Sequence, residues 1–261
     1  MKFRLFTLML LVCLGAGAQS FTVMTFNIYH GEEHYTPGRS NVQRVAAIIN
    51  KYKPDFVALQ EVDSMTRRSA ALNNGVPQDF MQELAKLTGM NGFFAKAIDY
   101  SNGGYGEGLL ARKPVNIKKY ALPTPKGGEG RALIEATYQI NKRKKIIFAG
   151  THLCHEFDEN RVAQAAKIVE IYKSSKIPVM IGGDWNFTPT SEGYHTITEQ
   201  FKDAALLYGN PENTFSYDDP KYRIDFIFLS KNVPWKVKSV KLINENPSDH
   251  KALLVELSAG K

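Results

Sequence analysis

The chain has few cysteines, and after its first 18 residues it has no long apolar run. Of its two cysteines, Cys13 lies in an apolar N-terminal stretch, so Cys154 alone remains and no disulfide can form within the rest. No later run is long and apolar enough for a membrane helix. Internal repeats and a serine- or glycine-rich linker are also lacking. We therefore expect residues 19–261 to form a single domain with no integral membrane segment.

The first 18 residues have the pattern of a secretory signal peptide. Lys2 and Arg4 form a basic region, Leu5 to Leu14 is almost wholly apolar, and residues 16–18 are small enough for cleavage. A lipoprotein anchor on Cys13 is disfavoured, because a bulky residue precedes this cysteine where a small one is expected. The pattern predicts export to the periplasm or the extracellular space.

The remaining chain carries only a mild excess of positive charge. Without Lys2 and Arg4, its 33 basic and 26 acidic residues leave a net charge of +5. This excess fits an anionic substrate, but it is also typical of an ordinary solvated surface. The basic run 142–145 lies between two alternating apolar segments and is interpreted as a hairpin turn, with contact to a polyanion as the alternative. Long basic arms or aromatic-basic interleaving for DNA are not evident.

Strand and helix patterns alternate along the chain in the manner of an α/β protein. The periodicity predicts strand–helix–strand–helix, then several strands, then helix–strand–helix and further strands. Mixed sheets covered by helices are the economical way to bury that many apolar strands. The predicted helices are 40–53, 79–88, 158–174 and a short one from 191; the predicted strands are 21–29, 55–60, 93–97, 106–111, 115–122, 132–140, 145–151, 177–181, 222–229, 237–243 and 252–257.

The stretch 177–189 combines a buried-type strand with polar residues just beyond it. The apolar run breaks at Gly182-Gly183, where the backbone can turn freely or approach a ligand. Asp184 and Asn186 follow, and their side chains share one face if the chain stays extended. Trp185 between them should then point the other way, into the core. Ordinary turn chemistry is the alternative for this stretch taken alone.

Polar residues recur at the ends of the predicted strands. Any one of them is commonly a backbone cap or a turn residue, but several such insertions after apolar segments are hard to explain separately. If these strand ends converge, they form an acidic cleft that contains imidazoles. The strand-end residues are Asn27, Glu61, His152, Asp184, Asn186, Asp249 and His250, with Asp225 placed inside its strand.

Such a set of residues suits metal-assisted phosphate chemistry. Hard divalent cations such as Mg²⁺ take carboxylate and amide oxygens together with substrate phosphate and water. Zinc more often takes several histidines or cysteines close in sequence, and Cys154-His155 beside His152 is the nearest approach to that. A divalent cation and two histidines fit the hydrolysis of a phosphate ester.

Seven short blocks, in order, resemble the endonuclease/exonuclease/phosphatase superfamily, which has the DNase I-like fold. The resemblance covers about residues 21–257. It implies a four-layered α/β sandwich in which two mixed β-sheets pack face to face and are flanked by helices. The blocks are Thr25-Phe26-Asn27-Ile28, Leu59-Gln60-Glu61-Val62-Asp63, Tyr105-Gly106-Glu107-Gly108-Leu109-Leu110, Gly150-Thr151-His152-Leu153, Gly183-Asp184-Trp185-Asn186, Arg223-Ile224-Asp225-Phe226-Ile227 and Ser248-Asp249-His250.

The resemblance assigns a metal site and a nucleophile site. Glu61 corresponds to the principal Mg²⁺ ligand, with Mn²⁺ as a substitute, and Asn27 and Asp249 would lie near the metal. Asp184 would position or deprotonate the attacking water. Asn186 would hold a phosphate oxygen.

The resemblance also assigns two imidazoles to the phosphate. His250 would act on the scissile phosphate and be oriented by Asp225, a pairing that fixes the tautomer and raises basicity. His152 would be a second imidazole there. Many relatives carry Asn in place of Glu107, whereas DNase I-like members use a glutamate in this block to partner the histidine. A Glu107–His152 pair would supply a second acid–base dyad.

The substrate is less well defined by these motifs. The run 61–69 resembles a bacterial subgroup of metal-dependent hydrolases. Arg67, Arg68 and Arg131 are candidates for holding a distal anion of the substrate, with simple surface solvation as the alternative.

We therefore expect a secreted, monomeric, Mg²⁺-dependent phosphodiesterase that acts on a phospholipid head group or another small phosphodiester. A secreted DNase I-like nuclease acting on nucleic acid is the alternative within the same chemistry. A non-catalytic module that binds a phosphate ligand is the alternative from another class. The intact set of polar strand-end residues argues against that last one.

Overall fold

The computed structural model describes residues 19–260, and the signal-peptide prediction for residues 1–18 lies outside them. Within this part of the chain, no helix is both long enough and apolar enough to cross a membrane. The elements in chain order are β1 (Ser20–Asn27), α1 (Val42–Tyr52), β2 (Phe56–Ser64), α2 (Arg67–Ala71), α3 (Phe80–Thr88), β3 (Asn91–Tyr100), β4 (Gly103–Ala111), β5 (Asn116–Leu122), β6 (Arg131–Gln139), β7 (Lys145–His152), α4 (Asp158–Tyr172), β8 (Val179–Asp184), α5 (Glu192–Thr198), β9 (Phe201–Asp203), α6 (Ala204–Tyr208), β10 (Asp225–Ser230), β11 (Trp235–Ile243) and β12 (Ala252–Ala259).

The strands form two six-stranded mixed sheets. The first sheet has the order β11-β12-β1-β2-β4-β3, and the second has the order β5-β6-β7-β8-β10-β9. Each sheet has one parallel pair at its centre, β1 with β2 and β7 with β8, whereas the neighbouring pairs are antiparallel. This arrangement confirms the α/β sandwich that the resemblance implies.

Three apolar cores separate the layers. Between the sheets, Phe56 of β2 stacks on Phe148 of β7 with ring centroids 5.5 Å apart. Helices α1 and α3 cover the outer face of the first sheet, and α4 and α5 cover the outer face of the second. Because apolar side chains emerge from both faces of the central strands, their sequences are almost continuously hydrophobic.

Glycines let the two sheets approach closely near the carboxyl ends of the central strands. A Cβ atom on Gly182 of β8 would lie 3.0 Å from Cβ of Thr25 on β1. A Cβ atom on Gly150 of β7 would lie 3.0 Å from Cβ of Ala58 on β2. Both distances are tighter than ordinary van der Waals contact, so the side chains that follow on these strands are brought near one another across the sandwich.

The structure adds two details to the predicted helices. Residues 67–71, which lie outside the predicted helices, form α2, because the Thr66 side chain accepts a hydrogen bond from the Ser69 amide and caps the helix. In α4 the buried face includes Asn160 and Gln164, while Ala166 is exposed. Asn160 donates to the Gly127 carbonyl and Gln164 accepts from the Cys154 amide, so polar side chains satisfy loop backbone groups beneath the helix.

Candidate active site

The ends of strands from both sheets meet in one cleft. In the first sheet β1 ends at Asn27, and in the second sheet β7 and β8 end side by side at His152 and Asp184. Asp225 was expected inside its strand but is the first residue of β10, where antiparallel pairing sets it opposite Asp184. Asn27 Nδ2 lies 3.0 Å from Asp184 Oδ2 and so joins the two sheets directly.

Glu61 reaches this cleft through an irregularity of β2. The strand continues past Glu61 to Ser64, but its register against β4 shifts between Leu59 and Val62. Glu61 has a φ of +59°, the left-handed region that non-glycine residues seldom occupy. A bulge of this kind redirects a side chain out of the regular alternation, and backbone strain of this kind concentrates at functional positions.

Hydrogen bonds hold the Glu61 carboxylate in its charged form. Asn27 Nδ2 donates to Oε1 at 3.0 Å, and His30 Nδ1 lies 3.4 Å from Oε2. Burial opposes ionisation, but the hydrogen bonds from His30 and Asn27 and the charge of His250 keep the pKa of Glu61 well below its usual range. A carboxylate that is anionic at every physiological pH is available to a cation.

Asp184 lies at the centre of the cleft. Its Oδ2 atom is 3.5 Å from His152 Nε2 and 3.6 Å from His250 Nε2, and its Oδ1 accepts from the Asn186 amide at 3.0 Å. Burial, only partly offset by the charge of His250, raises the pKa of Asp184 to about 7. Trp185 points into the core and packs against Phe228, as the sequence predicts.

His250 is fixed by a buried carboxylate. Its Nδ1 lies 2.9 Å from Oδ2 of Asp225, and its ring lies 4.7 Å from the ring of Phe215. Burial alone would lower the pKa of His250, but the charges of Asp225 and Asp184 raise it to about 10. The predicted pairing of Asp225 with His250 is therefore present, and it holds an imidazolium.

His152 lies in a different environment. Its Nε2 is 3.0 Å from Asn186 Nδ2, and its Nδ1 is 3.4 Å from Arg131 Nη1. Burial and the charge of Arg131 lower the pKa of His152 well below its usual value. The amide nitrogen of Asn186 also donates to the Leu153 carbonyl at 3.0 Å, so in this arrangement it orients His152 and is not free to hold a phosphate oxygen.

The predicted Glu107–His152 dyad is not formed. Glu107 Oε1 accepts from the Ala132 amide at 3.4 Å, its Oε2 is buried without a partner, and the Nδ1 side of His152 faces Arg131 instead. Burial raises the pKa of Glu107 to about 8. The side chain is thus a protonated carboxylic acid at neutral pH, held under the cleft by β4 and β6.

The oxygen atoms of Glu61 and Asp249 fit a hard divalent cation. Burial raises the pKa of Asp249, the charge of His250 opposes that rise, and the charge of Glu61 adds to it. Because the charge of Glu61 raises the pKa of Asp249, the two carboxylates repel each other, and a cation between them would relieve that repulsion. The Asn27 oxygen accepts from the Tyr29 amide at 3.1 Å and its amide nitrogen donates to Glu61 and Asp184, so Asn27 positions these carboxylates beside the proposed metal site.

A second group of donor atoms lies beside this pair. Asp184, Asp225 and His250 each bring one donor atom within 4.8 Å of the others. Asp225 already forms an ion pair with cationic His250, so the negative charge of this group is partly balanced within the group itself.

The three candidate arginines occupy different positions. Arg68 makes a bidentate ion pair with buried Asp63 at 2.8 Å and lies over the ring of Tyr100 at 4.6 Å. Arg131 is buried, contacts Glu129 at 2.5 Å and His155 Nδ1 at 2.9 Å, and borders His152. Arg67 is exposed, and its main-chain amide donates to a loop carbonyl.

Two contributors to the site were missed in the sequence. His30 bridges Glu61 and Glu32, with Nε2 at 3.1 Å from Glu32, and a φ of +43° turns it into the cleft. Its position three residues after Asn27 was the feature of the sequence that could have identified His30 as a site residue. Asp63, which fixes Arg68, was missed as well. Its position two residues after Glu61 was the signal for it, because alternate residues of a regular strand share a face.

Comparisons with known proteins show what the chain is similar to. A sequence model described as the Endonuclease/Exonuclease/phosphatase family matches residues 24–250. Nocturnin from Homo sapiens is 24% identical over 253 residues, covering 79% of this chain and 55% of Nocturnin, so this chain spans about half the length of that curated relative.

Solved structures share the fold at low sequence identity. An endonuclease/exonuclease/phosphatase family protein from Bacteroides thetaiotaomicron has a TM-score of 0.76 and 18% identity, covering 94% of this chain and 99% of its own. A mannosyl-6-phosphatase from the same species has a TM-score of 0.72 and 19% identity, covering 91% of this chain and 99% of its own. At this level of identity, the likeness concerns the fold.

Proposed function

Because the chain belongs to the endonuclease/exonuclease/phosphatase family, whose members hydrolyse phosphoester bonds, we propose that it is a Mg²⁺-dependent phosphodiesterase. Enzymes of this family generally depend on a divalent metal ion. The proposed substrate is a phospholipid head group or another small phosphodiester. We further propose that the chain acts after export, in accord with the signal-peptide pattern of residues 1–18.

The observation that carries this proposal is the position of Asp184 between two imidazoles and beside the Glu61 site. Asn27 donates to both carboxylates, so the proposed cation site and the proposed base are held at a fixed separation. Both imidazole Nε2 atoms lie within 3.6 Å of Asp184 Oδ2. Hydrolysis of a phosphate ester needs charge stabilisation and proton transfer at adjacent atoms, which this arrangement supplies.

The residues of the chain divide the reaction between them. A divalent cation at Glu61 and Asp249 would polarise a phosphoryl oxygen and offset its developing charge. Asp184 orients the attacking water and accepts its proton. His250, kept cationic by Asp225, donates its Nε2–H to a phosphoryl oxygen. His152 lies on the other side of Asp184 as a second, neutral imidazole at the phosphate, and the leaving-group oxygen takes its proton from water.

The charge distribution favours a small substrate over a long polyanion. Nucleic-acid binding relies on rows of unpaired cations along the backbone track. The two arginines nearest the cleft are each paired with a carboxylate, Arg68 with Asp63 and Arg131 with Glu129. We propose that Arg68, Arg131 and the exposed Arg67 contact one further polar or anionic group of a compact substrate.

The proposal is tested by an activity screen over mono- and diester phosphates with Mg²⁺ and Mn²⁺. Release from bis-p-nitrophenyl phosphate should require the metal, stop with EDTA and be lost in Glu61→Ala. Glu170→Ala, an exposed glutamate of α4, is the matched control and should keep full activity.

Each other outcome selects a different function. Nicking of plasmid DNA that falls steeply with salt would indicate a nuclease. A strict preference for monoesters would indicate a phosphatase, and complete inactivity on every ester would indicate a binding module.

A further inference from the structure

A groove of about 550 Å³ opens between the two sheets at the end of the molecule opposite the cleft. It lies at the start of β7 and β8, whereas the cleft lies at their ends. Lys145 and His152 are the first and last residues of β7, so the rise of a strand separates the groove from the cleft by about 23 Å. Its volume is within the range of ordinary ligand sites, and no residue of the proposed catalytic set lines it.

The floor of the groove is apolar. It extends the core between the sheets, because the buried residues Phe21 and Ile146 belong to that core and Ile140 packs against it. Ile177 and Val233 line the groove and are only partly buried. An open groove with such a floor leaves hydrocarbon in contact with water, which is unfavourable unless something covers it.

The rim of the groove is basic. Four consecutive cations, Lys142 to Lys145, stand on the turn between β6 and β7, and Lys176 stands on the opposite side. Aspartate and glutamate are absent from the lining. All five cationic side chains belong to exposed residues, and none of them forms a salt bridge within residues 19–260.

The turn that carries the cations is held in a defined shape. The Asn141 side chain accepts hydrogen bonds from the amides of Arg143 and Lys144 at 2.9 and 3.0 Å. The Ile140 amide donates to the Lys144 carbonyl at 2.9 Å. The hairpin predicted for this run is therefore present, and it presents its charges from a fixed backbone.

We propose that this end of the protein docks on an anionic lipid bilayer. The cations of Lys142–Lys145 and Lys176 contact the lipid headgroup phosphates, and one acyl chain enters the apolar groove. Basic clusters are attracted to anionic membrane surfaces, and an adjoining apolar surface adds to that binding.

Two other occupants fit the groove less well. Single-stranded nucleic acid is bound by aromatic side chains stacked on bases between basic residues, whereas the basic run contains no aromatic residue. A second copy of the chain would bring two basic rims of the same sign together, which opposes association.

Docking in this way sets the orientation of the enzyme. With the groove against the bilayer, the cleft faces the aqueous phase roughly 23 Å further out, so of the two proposed substrate classes this orientation favours a small soluble phosphodiester over a head group of the same bilayer. The inference does not depend on the proposed reaction, because it concerns residues that lie outside the cleft.

The test is co-sedimentation of the full chain with vesicles of phosphatidylcholine alone or with 30% phosphatidylglycerol. Binding should need the anionic lipid and weaken as salt rises. Lys142→Glu combined with Lys144→Glu should lower the affinity at least tenfold, on the basis of about fivefold per basic residue. Lys119→Glu combined with Lys202→Glu, two exposed lysines outside the groove, makes the same charge change and should alter binding less than twofold.

An apolar variant and an activity assay complete the design. Ile177→Ser should weaken binding to the anionic vesicles while circular dichroism shows an unchanged fold. Turnover of a soluble diester should be the same in the groove variant and the wild type. Any contribution of the apolar stretch 5–14 is common to every variant and cancels in the comparison.

Several results would overturn the inference. These are absence of vesicle binding, equal binding to both kinds of vesicle, and an equal loss in the control double variant. Retention of single-stranded nucleic acid in preference to vesicles, or dimerisation that buries the groove, would assign the surface to a different partner.

Discussion

The two imidazoles of the cleft lie on either side of Asp184 in opposite electrostatic surroundings. Both are equally buried, with 4% of each residue exposed. Burial alone would lower the pKa of His250, but Asp225 and Asp184 raise it to about 10. His152 has Arg131 as its nearest charged partner besides Asp184, and burial together with that arginine lowers its pKa. Since burial is equal, the neighbours decide which imidazole is charged.

The difference shows how one residue type can serve two roles in a single site. A permanently cationic imidazole stabilises negative charge on the phosphoryl oxygens, whereas a neutral one can accept a hydrogen bond or a proton. The two roles come from different elements. His250 receives its carboxylate from β10, and His152 receives its arginine from the start of β6.

Asp184→Asn should have the largest effect, because Asp184 Oδ2 lies within 3.6 Å of both imidazoles. We expect kcat for bis-p-nitrophenyl phosphate to fall by on the order of 10⁴-fold, the upper range for loss of a general base. The variant should remain folded by circular dichroism and bind Mg²⁺ by calorimetry. A wild-type rate would show that Asp184 has no part in the reaction.

Asp225→Asn should change the surroundings of His250 and leave the partners of His152 in place. The variant keeps the shape of the side chain but removes the carboxylate 2.9 Å from Nδ1, so we expect kcat to fall by about 10²- to 10³-fold. The low-field proton resonance of the His250 ring N–H should disappear. If this resonance and the rate both persist, Asp225 does not orient the imidazole.

Arg131→Met should make the surroundings of the two imidazoles more alike. Without the arginine charge the pKa of His152 rises, so His152 gains a proton as the pH falls. We expect kcat/KM to decrease by about tenfold at pH 5.5 and by less at pH 8. Arg161→Met, on the outer helix α4, is the control. A loss independent of pH would indicate that Arg131 acts only by binding substrate.

Glu107→Gln should have the smallest effect on turnover and should instead alter the dependence of stability on pH. The pKa of Glu107 is about 8 in the folded chain and near 4.5 in the unfolded chain, so its contribution is complete below about pH 4.5 and is lost as the pH rises through 8. The free energy of unfolding of the variant, relative to that of the wild type, should increase between pH 5 and pH 9 by at most about 5 kcal/mol. Urea denaturation at both pH values measures this, and a constant difference would contradict it.

The sequence was sufficient to predict which strand ends carry the polar residues of the cleft. Asn27, His152 and Asp184 each close an apolar strand, and parallel pairing brings such ends to one edge of a sheet. Hydrophobic periodicity also located the long helices to within a few residues. These features depend on local patterns that a single sequence displays.

Features that depend on tertiary contacts were not predictable. The bulge at Glu61 arises where β2 and β4 fall out of register, and neither strand shows this in its own sequence. The partner of His152 depends on which of Glu107 and Arg131 lies nearer after the sheets pack. In the same way Asp63 captures Arg68 only because α2 folds back over the strand.

The close approach at Gly150 and Gly182 gives the cleft its width. Asn27 and Glu61 belong to one sheet, and His152 and Asp184 belong to the other. The distance between these two pairs is therefore set by the sheet contacts at Gly150 and Gly182, two residues before His152 and Asp184. The sheets approach this closely because neither glycine carries a Cβ atom. A methyl group at either glycine would push the two sheets apart by a few tenths of an ångström. That is enough to lengthen the hydrogen bond from Asn27 to Asp184 across the cleft.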